Sequence, residues 1–147
     1  MFETLVVATD GSKAAEKAVV WAVELAKQHG SRLIVLNVTP DQRVKLEAKE
    51  PDAPPAGDVS YFDAGDLVSD EALARAEKLA KEAGVTYELQ EVYGRNIAAT
   101  IAKTAQEDGA DHIVIGSTGV TALATCVLGS VAQNVVHYAH CPVTVVR

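Results

Sequence analysis

The residues of this chain best suited to chemistry lie near its C-terminus, between Gly116 and Ser130. Gly116, Gly119 and Gly129, with Ser130 after the last, give the spacing G-x2-G-x9-G-S. The run before it, His112-Ile113-Val114-Ile115, is short, apolar and β-branched, which predicts a buried strand. The run after it, Ser130 to Ala139, predicts a helix, with Ser130 and Gln133 as an S-x-x-Q capping box. A strand, a glycine-rich loop and a helix start together present backbone N–H groups and the positive end of a helix dipole. That combination suits an anion, and the expected chemistry is the holding of nucleotide phosphates. No charged residue occurs from Gly116 to Ser130, so the loop reads as one that covers or packs.

Other reactive side chains make weaker patterns. His137, His140 and Cys141 resemble metal ligands in type, but no fourth ligand accompanies them. A histidine near a helix C-terminus is better explained as a cation facing the helix dipole. Cys126 reads as a small apolar filler. Ser12 and Ser130 have no histidine at a motif spacing, so no nucleophile–base pair and no catalytic residue is assigned. No metal site is assigned either.

The elements that must position the loop follow from hydrophobic periodicity. Thr4 to Thr9 (TLVVAT) and Arg32 to Val38 (RLIVLNV) read as strands buried on both faces, as in a parallel sheet. Between them lies a helix from Lys13 to His29, capped by Ser12 and stopped by Gly30. Its inner face is Ala15, Ala18, Val19, Ala22, Leu25 and Ala26. Trp21 belongs to helix packing or to a dimer surface. From Thr39 to Asp66 the pattern breaks among prolines and glycines such as Gly57 and Gly65, which predicts a mobile insertion at about 39–66, as a flap, a disordered stretch or in part a short helix around Arg43 to Lys49. Ser69 is expected to cap a helix to Ala83, and Tyr87 to Val92 is polar enough for an edge strand. Asn96 caps a further helix with Ile97, Ile101 and Ala105 inward, and a last strand runs from Pro142 to Val146. Five strands alternating with four helices imply right-handed βαβ units in one open parallel sheet with helices on both faces, a Rossmann-like α/β fold. Ligands of such sheets bind beyond the strand C-termini where strand order reverses.

Composition narrows the function. The chain has 147 residues, enough for a single domain at 1–147, with 48% hydrophobic residues. Its net charge of −7 argues against nucleic acid or an anionic membrane as partner. No apolar run approaches a membrane span, and no leader pattern precedes the first strand. With Cys126 and Cys141 read as free thiols, the expectation is a cytoplasmic protein.

At this point the chain resembles the universal stress protein family over nearly its whole length, the stretch 39–66 excepted. The resemblance is carried by Val7-Ala8-Thr9-Asp10-Gly11-Ser12, by the Gly116–Ser130 loop and by the tail Cys141-Pro142-Val143-Thr144-Val145-Val146-Arg147. The G-x2-G-x9-G-S pattern marks the ATP-binding branch of that family. The resemblance implies strand order 3-2-1-4-5 and ATP, or another adenine nucleotide, lying across strands one and four. It further implies a homodimer through the last strand, Val143, Thr144, Val145 and Val146. Carried over residue by residue, Asp10 would lie at the ribose or base end beside Ala8 and Thr9, and Val38 would flank adenine. Ile115, Gly116 and Gly119 would line the ribose and α-phosphate. Gly129, Ser130 and Val131 would hold the outer phosphates by backbone N–H, with glycine letting oxygens approach where a Cβ would stand. Relatives often have a basic residue where this chain has Thr118, so the expected counter-charge for ATP is N–H dipoles, a divalent cation such as Mg, or a distant Lys13, Arg43 or Arg95. The loop offers no carboxylate or histidine, so slow hydrolysis is the most that is expected. The function implied is a nucleotide-binding regulatory module of the stress response, the alternatives being a slow ATP hydrolase or a dimer that binds partners without nucleotide.

Overall fold

The computed structural model describes residues 2–40, 59–118 and 128–147. Within them the order is β1 (Thr4–Ala8), α1 (Lys13–His29), β2 (Arg32–Pro40), α2 (Val59–Ala83), β3 (Tyr87–Gly94), α3 (Ile97–Glu107), β4 (His112–Gly116), α4 (Ser130–Tyr138) and β5 (Val143–Val146). All five strands are parallel in one sheet of order β3-β2-β1-β4-β5. β1 is central, and the polar β3 lies at an edge as its sequence predicts.

The side-chain alternation of each strand divides the core in two. Leu5 and Val7 of β1, Leu33 and Val35 of β2, and Val114 of β4 face α1 and α2. Val6 and Ala8, Ile34 and Leu36, and Ile113 and Ile115 face α3 and α4. That is why these strands are apolar at every position rather than every second one. The helices meet the sheet largely through alanine: Ala18, Ala22 and Ala26 on α1, Ala76 and Ala80 on α2, Ala98 and Ala105 on α3. Small residues at these positions let the helix backbones lie close to the strands. On α1, Val23 is buried where Leu25 was expected, and Leu25 packs at the margin of the same cluster.

The helix caps follow the sequence at most points. Ser12 accepts a hydrogen bond from the N–H of Ala15 at 3.2 Å, and Asn96 from that of Ala99 at 3.1 Å. Gly30, Gly84 and Gly109 end their helices with φ of 66°, 71° and 69°, a conformation that glycine adopts without a Cβ penalty. Two expectations need correction. The helix expected after Ser69 begins at Val59, and β2 runs on to Pro40, so the irregular stretch predicted over 39–66 is regular at both ends. Gly65, one of the glycines of that stretch, lies inside the helix. One glycine costs a helix only about 1 kcal/mol, and the nearest proline, Pro55, lies before the helix begins. Residues 41–58 lie outside the described residues. The second correction concerns Trp21. At 56% exposure, beside Val20 at 53%, it is not a packing residue of the α1 interior face.

Candidate functional site

Strand order reverses between β1 and β4, and a cavity of about 300 Å³ opens beyond their C-terminal ends. It lies on the α3/α4 side of the sheet. β1 contributes Ala8 and leads into Thr9 and Asp10; β2 contributes Val38; β4 contributes Ile115 and Gly116 and leads into Ser117 and Thr118. Ile97 and Ile101 of α3 form an apolar wall, and Gly129, Ser130, Val131 and Ala132 bring the start of α4 to the rim. Every site residue expected from the sequence therefore lines this cavity, except Gly119, which lies outside the described residues, as does Cys126.

Backbone hydrogen bonds fix the rim. Thr9 donates its N–H to Leu36 O at 2.9 Å, and the buried Asn37 side chain donates Nδ2 to Thr9 O at 3.0 Å. Asp10 Oδ1 accepts from Ser12 N at 2.9 Å, forming the turn that starts α1. Ser117 donates its N–H to Val146 O at 2.7 Å. Its own carbonyl accepts from Gly129 N, also at 2.7 Å. The two ends of the loop are thus clasped directly to each other and to β5.

This clasp corrects two readings of the sequence. Gly129, and not Ser130, is the N-cap of α4, and no side-chain cap hydrogen bond is made there. Gln133 does not complete a capping box: its Nε2 donates to Leu128 O at 2.8 Å, while its N–H donates to Gly129 O at 3.0 Å. Because the Gly129 N–H is engaged by Ser117, it is not a donor to the cavity. The N–H groups of Ser130, Val131 and Ala132 precede the first intrahelical bond and have no acceptor within the helix. They are the donors this helix start can offer to an anion.

Gly116 also serves a different purpose from the one expected. A Cβ on it would stand 2.7 Å from Ala14 C, 2.8 Å from Ala14 O and 2.9 Å from Ala15 N. The absent side chain makes room for the first turn of α1, whose Ala15 also lines the cavity. Sequence reasoning passed over Asn37, Ser117, Ile97 and Ile101 as site residues. Asn37 had a signal: it is the one polar side chain in the apolar run Leu33–Val38. The two isoleucines were read as core, which they also are; only strand order sets their helix beside the site.

The N-terminal ends of β4 and β5, at the other end of the strands from the cavity, carry further reactive groups. His112 is buried, with Nε2 2.7 Å from Thr144 Oγ1 and its ring 5.0 Å from that of Phe2. Burial pulls its pKa below the usual imidazole value, against the opposing charge of Asp111. Burial pushes the Cys141 thiol up, and Asp111 adds to that, which disfavours a reactive thiolate. His140 donates Nε2–H to Ala110 O at 2.9 Å, the tautomer that a carbonyl partner requires. Among the described residues no group of three or more His, Cys, Asp or Glu side chains is placed to hold a metal. Among them, too, no helix is long and apolar enough to cross a membrane.

Fold, strand order and a site at the strand-order reversal meet the comparison with known proteins here. The model of the universal stress protein family matches residues 1–147. The chain belongs to that family. A universal stress protein of Thermus aquaticus is 35% identical over 151 residues, with all of both chains covered. The solved structure of universal stress protein UspA from Lactobacillus plantarum is 26% identical, with a TM-score of 0.78, covering 99% of this chain and 98% of that one. A universal stress protein solved in complex with cAMP is also 26% identical, with a TM-score of 0.69 and coverage of 99% and 97%.

Proposed function

We propose that this universal stress protein is an adenine-nucleotide-binding regulatory module, with the nucleotide in the cavity beyond β1 and β4. The observation that carries the reading is the convergence there of the strand-one turn, the end of β4 and the start of α4, three stretches distant in sequence. The two halves of the cavity suit the two halves of a nucleotide. Val38, Ile97, Ile101 and Ile115 offer apolar surface to a base. The N–H groups of Ser130, Val131 and Ala132 offer donors to a phosphate, with the Ser130 hydroxyl beside them. The similar protein solved with cAMP supports the ligand class.

The loop spacing favours ATP as one such ligand. A divalent cation, Mg in the first instance, would then supply charge that the lining does not. The only carboxylate among the described lining residues, Asp10, is committed to the α1 turn, so hydrolysis would be slow at most. β5 is a sheet edge, and pairing of Val143–Val146 with the same strand of a second copy would form a homodimer. The nucleotide would then set the shape of that dimer for a protein partner to read, in the cytoplasm.

Three measurements test this. Ligand released from freshly purified protein, identified by mass spectrometry, should contain an adenine nucleotide. Calorimetric titration with Mg-ATP should give saturable heat, and absence of heat at millimolar concentrations of ATP, AMP and cyclic AMP alike would reject the site. Sedimentation equilibrium should give twice the chain mass, falling to one chain mass in Val145→Pro, which removes an N–H that β5 turns away from β4.

A further inference from the structure

On the nucleotide reading above, we infer that the cavity selects among adenine nucleotides by charge. It favours one negative phosphate charge, as in a cyclic monophosphate, over the triphosphate of ATP without metal. Asp10 is the only charged side chain among the described lining residues, and it is an acid. The stretches outside the described residues bring no positive excess. Residues 119–127 contain no charged side chain, and Arg43, Lys45 and Lys49 are outnumbered by Asp41, Glu47, Glu50, Asp52 and Asp58. The whole chain stands at −7.

The backbone supplies little more. Of the donors at the rim, Gly129 N–H goes to Ser117 O and Ser117 N–H to Val146 O, each at 2.7 Å. Ala15 N–H goes to Ser12 Oγ at 3.2 Å. Two helix starts, those of α1 and α4, face the cavity, and each dipole is equivalent to roughly half a positive charge. That balances a good part of a monoanion. It leaves a ligand of about four negative charges largely uncompensated beside the Asp10 carboxylate. Hydroxyls of Ser117, Thr118 and Ser130 can donate hydrogen bonds to either ligand and do not discriminate.

The test is calorimetric titration of the full chain with cyclic AMP, AMP and ATP, with a chelator present and at two ionic strengths. Cyclic AMP should bind at least about tenfold more tightly than metal-free ATP, and added salt should narrow that gap. Asp10→Asn keeps an oxygen to accept from Ser12 N and removes the charge. It should improve ATP binding by about threefold relative to cyclic AMP. Thr118→Lys, adding a cation at the rim, should narrow the gap in the same direction. Metal-free ATP binding as tightly as cyclic AMP, or a gap that neither variant moves, overturns the charge selection and leaves the nucleotide site standing. No binding by any of the three overturns both.

Discussion

α1 and α4 begin at the same cavity, yet their first turns are completed in opposite ways. α1 is closed by its own chain: Asp10 accepts from Ser12 N, and Ser12 in turn accepts from Ala15 N. Gly116 lies tight beneath it, with space for no side chain. α4 starts from a glycine with no side-chain cap, and its exposed Ser130 stands at the first helical position. A capped helix start is a structural joint. An uncapped one at a cavity rim retains donors for something else, at a cost in the stability of the free protein. The contrast therefore assigns support to the first helix and binding to the second, and it can be broken experimentally at each residue named.

The largest effect should come from Gly116→Ala. The atoms its Cβ would meet are backbone atoms of Ala14 and Ala15, which cannot rotate aside. Overpacking of this kind costs about 1–3 kcal/mol. Urea unfolding should show the midpoint falling with an unchanged slope. An alanine tolerated without loss would mean that α1 does not rest on β4 as closely as described. Ser12→Ala comes next, at about 1 kcal/mol for a lost N-cap. Asn96→Ala on α3 should match it, because each cap accepts from the N–H three residues on at a similar distance.

Much of this was legible in the sequence, and the limits have physical causes. The strands declared themselves because Leu5–Ala8 and Leu33–Leu36 are buried on both faces, which leaves a run of apolar residues no other reading. Asn96 and Ser12 were legible as caps because each does a purely local job. Ser130 misled because the same residue types that cap a helix also stand one residue inside it, and only the Ser117–Gly129 bond decides the frame. Gly116 lines the cavity as expected, but its second job was not legible. Its spacing reports that a Cβ is unwelcome but not that the backbone of α1 is what it would meet. α2 was cut short because Gly65 resembles a stop, whereas a helix interior absorbs one glycine at modest cost.

A pH experiment sharpens the comparison, since neither helix start contains an imidazole. His112 lies at the opposite, N-terminal end of β4, and burial holds its folded-state pKa below the usual 6.5. Above that value both folded and unfolded chains leave this ring neutral. As pH falls through it, the unfolded chain binds the proton first, so this group's contribution to stability is lost toward acid. Wild type, Ser12→Ala and Ser130→Ala should share that decline in urea midpoint between pH 7.5 and 5.5, and His112→Gln should lose part of it. A decline that changed in the helix-start variants, with His112→Gln unaltered, would place the titrating group at the cavity.

The smallest effect on stability, and the most informative about binding, is expected from Ser130→Ala. In the free protein the hydroxyl makes no cap, and alanine is the better helix former, so the unfolding midpoint should stay within about 0.5 kcal/mol of wild type. With a nucleotide present the same substitution removes one donor from the phosphate end of the cavity. A hydrogen bond to a charged group is worth about 1.5–3 kcal/mol, so affinity should fall by roughly tenfold or more. Ser12→Ala should show the reverse profile, losing stability while the affinity of the folded fraction holds. If Ser130→Ala were as destabilising as Ser12→Ala, the serine would be a cap after all. The division between a supporting helix start and a binding one would then be lost.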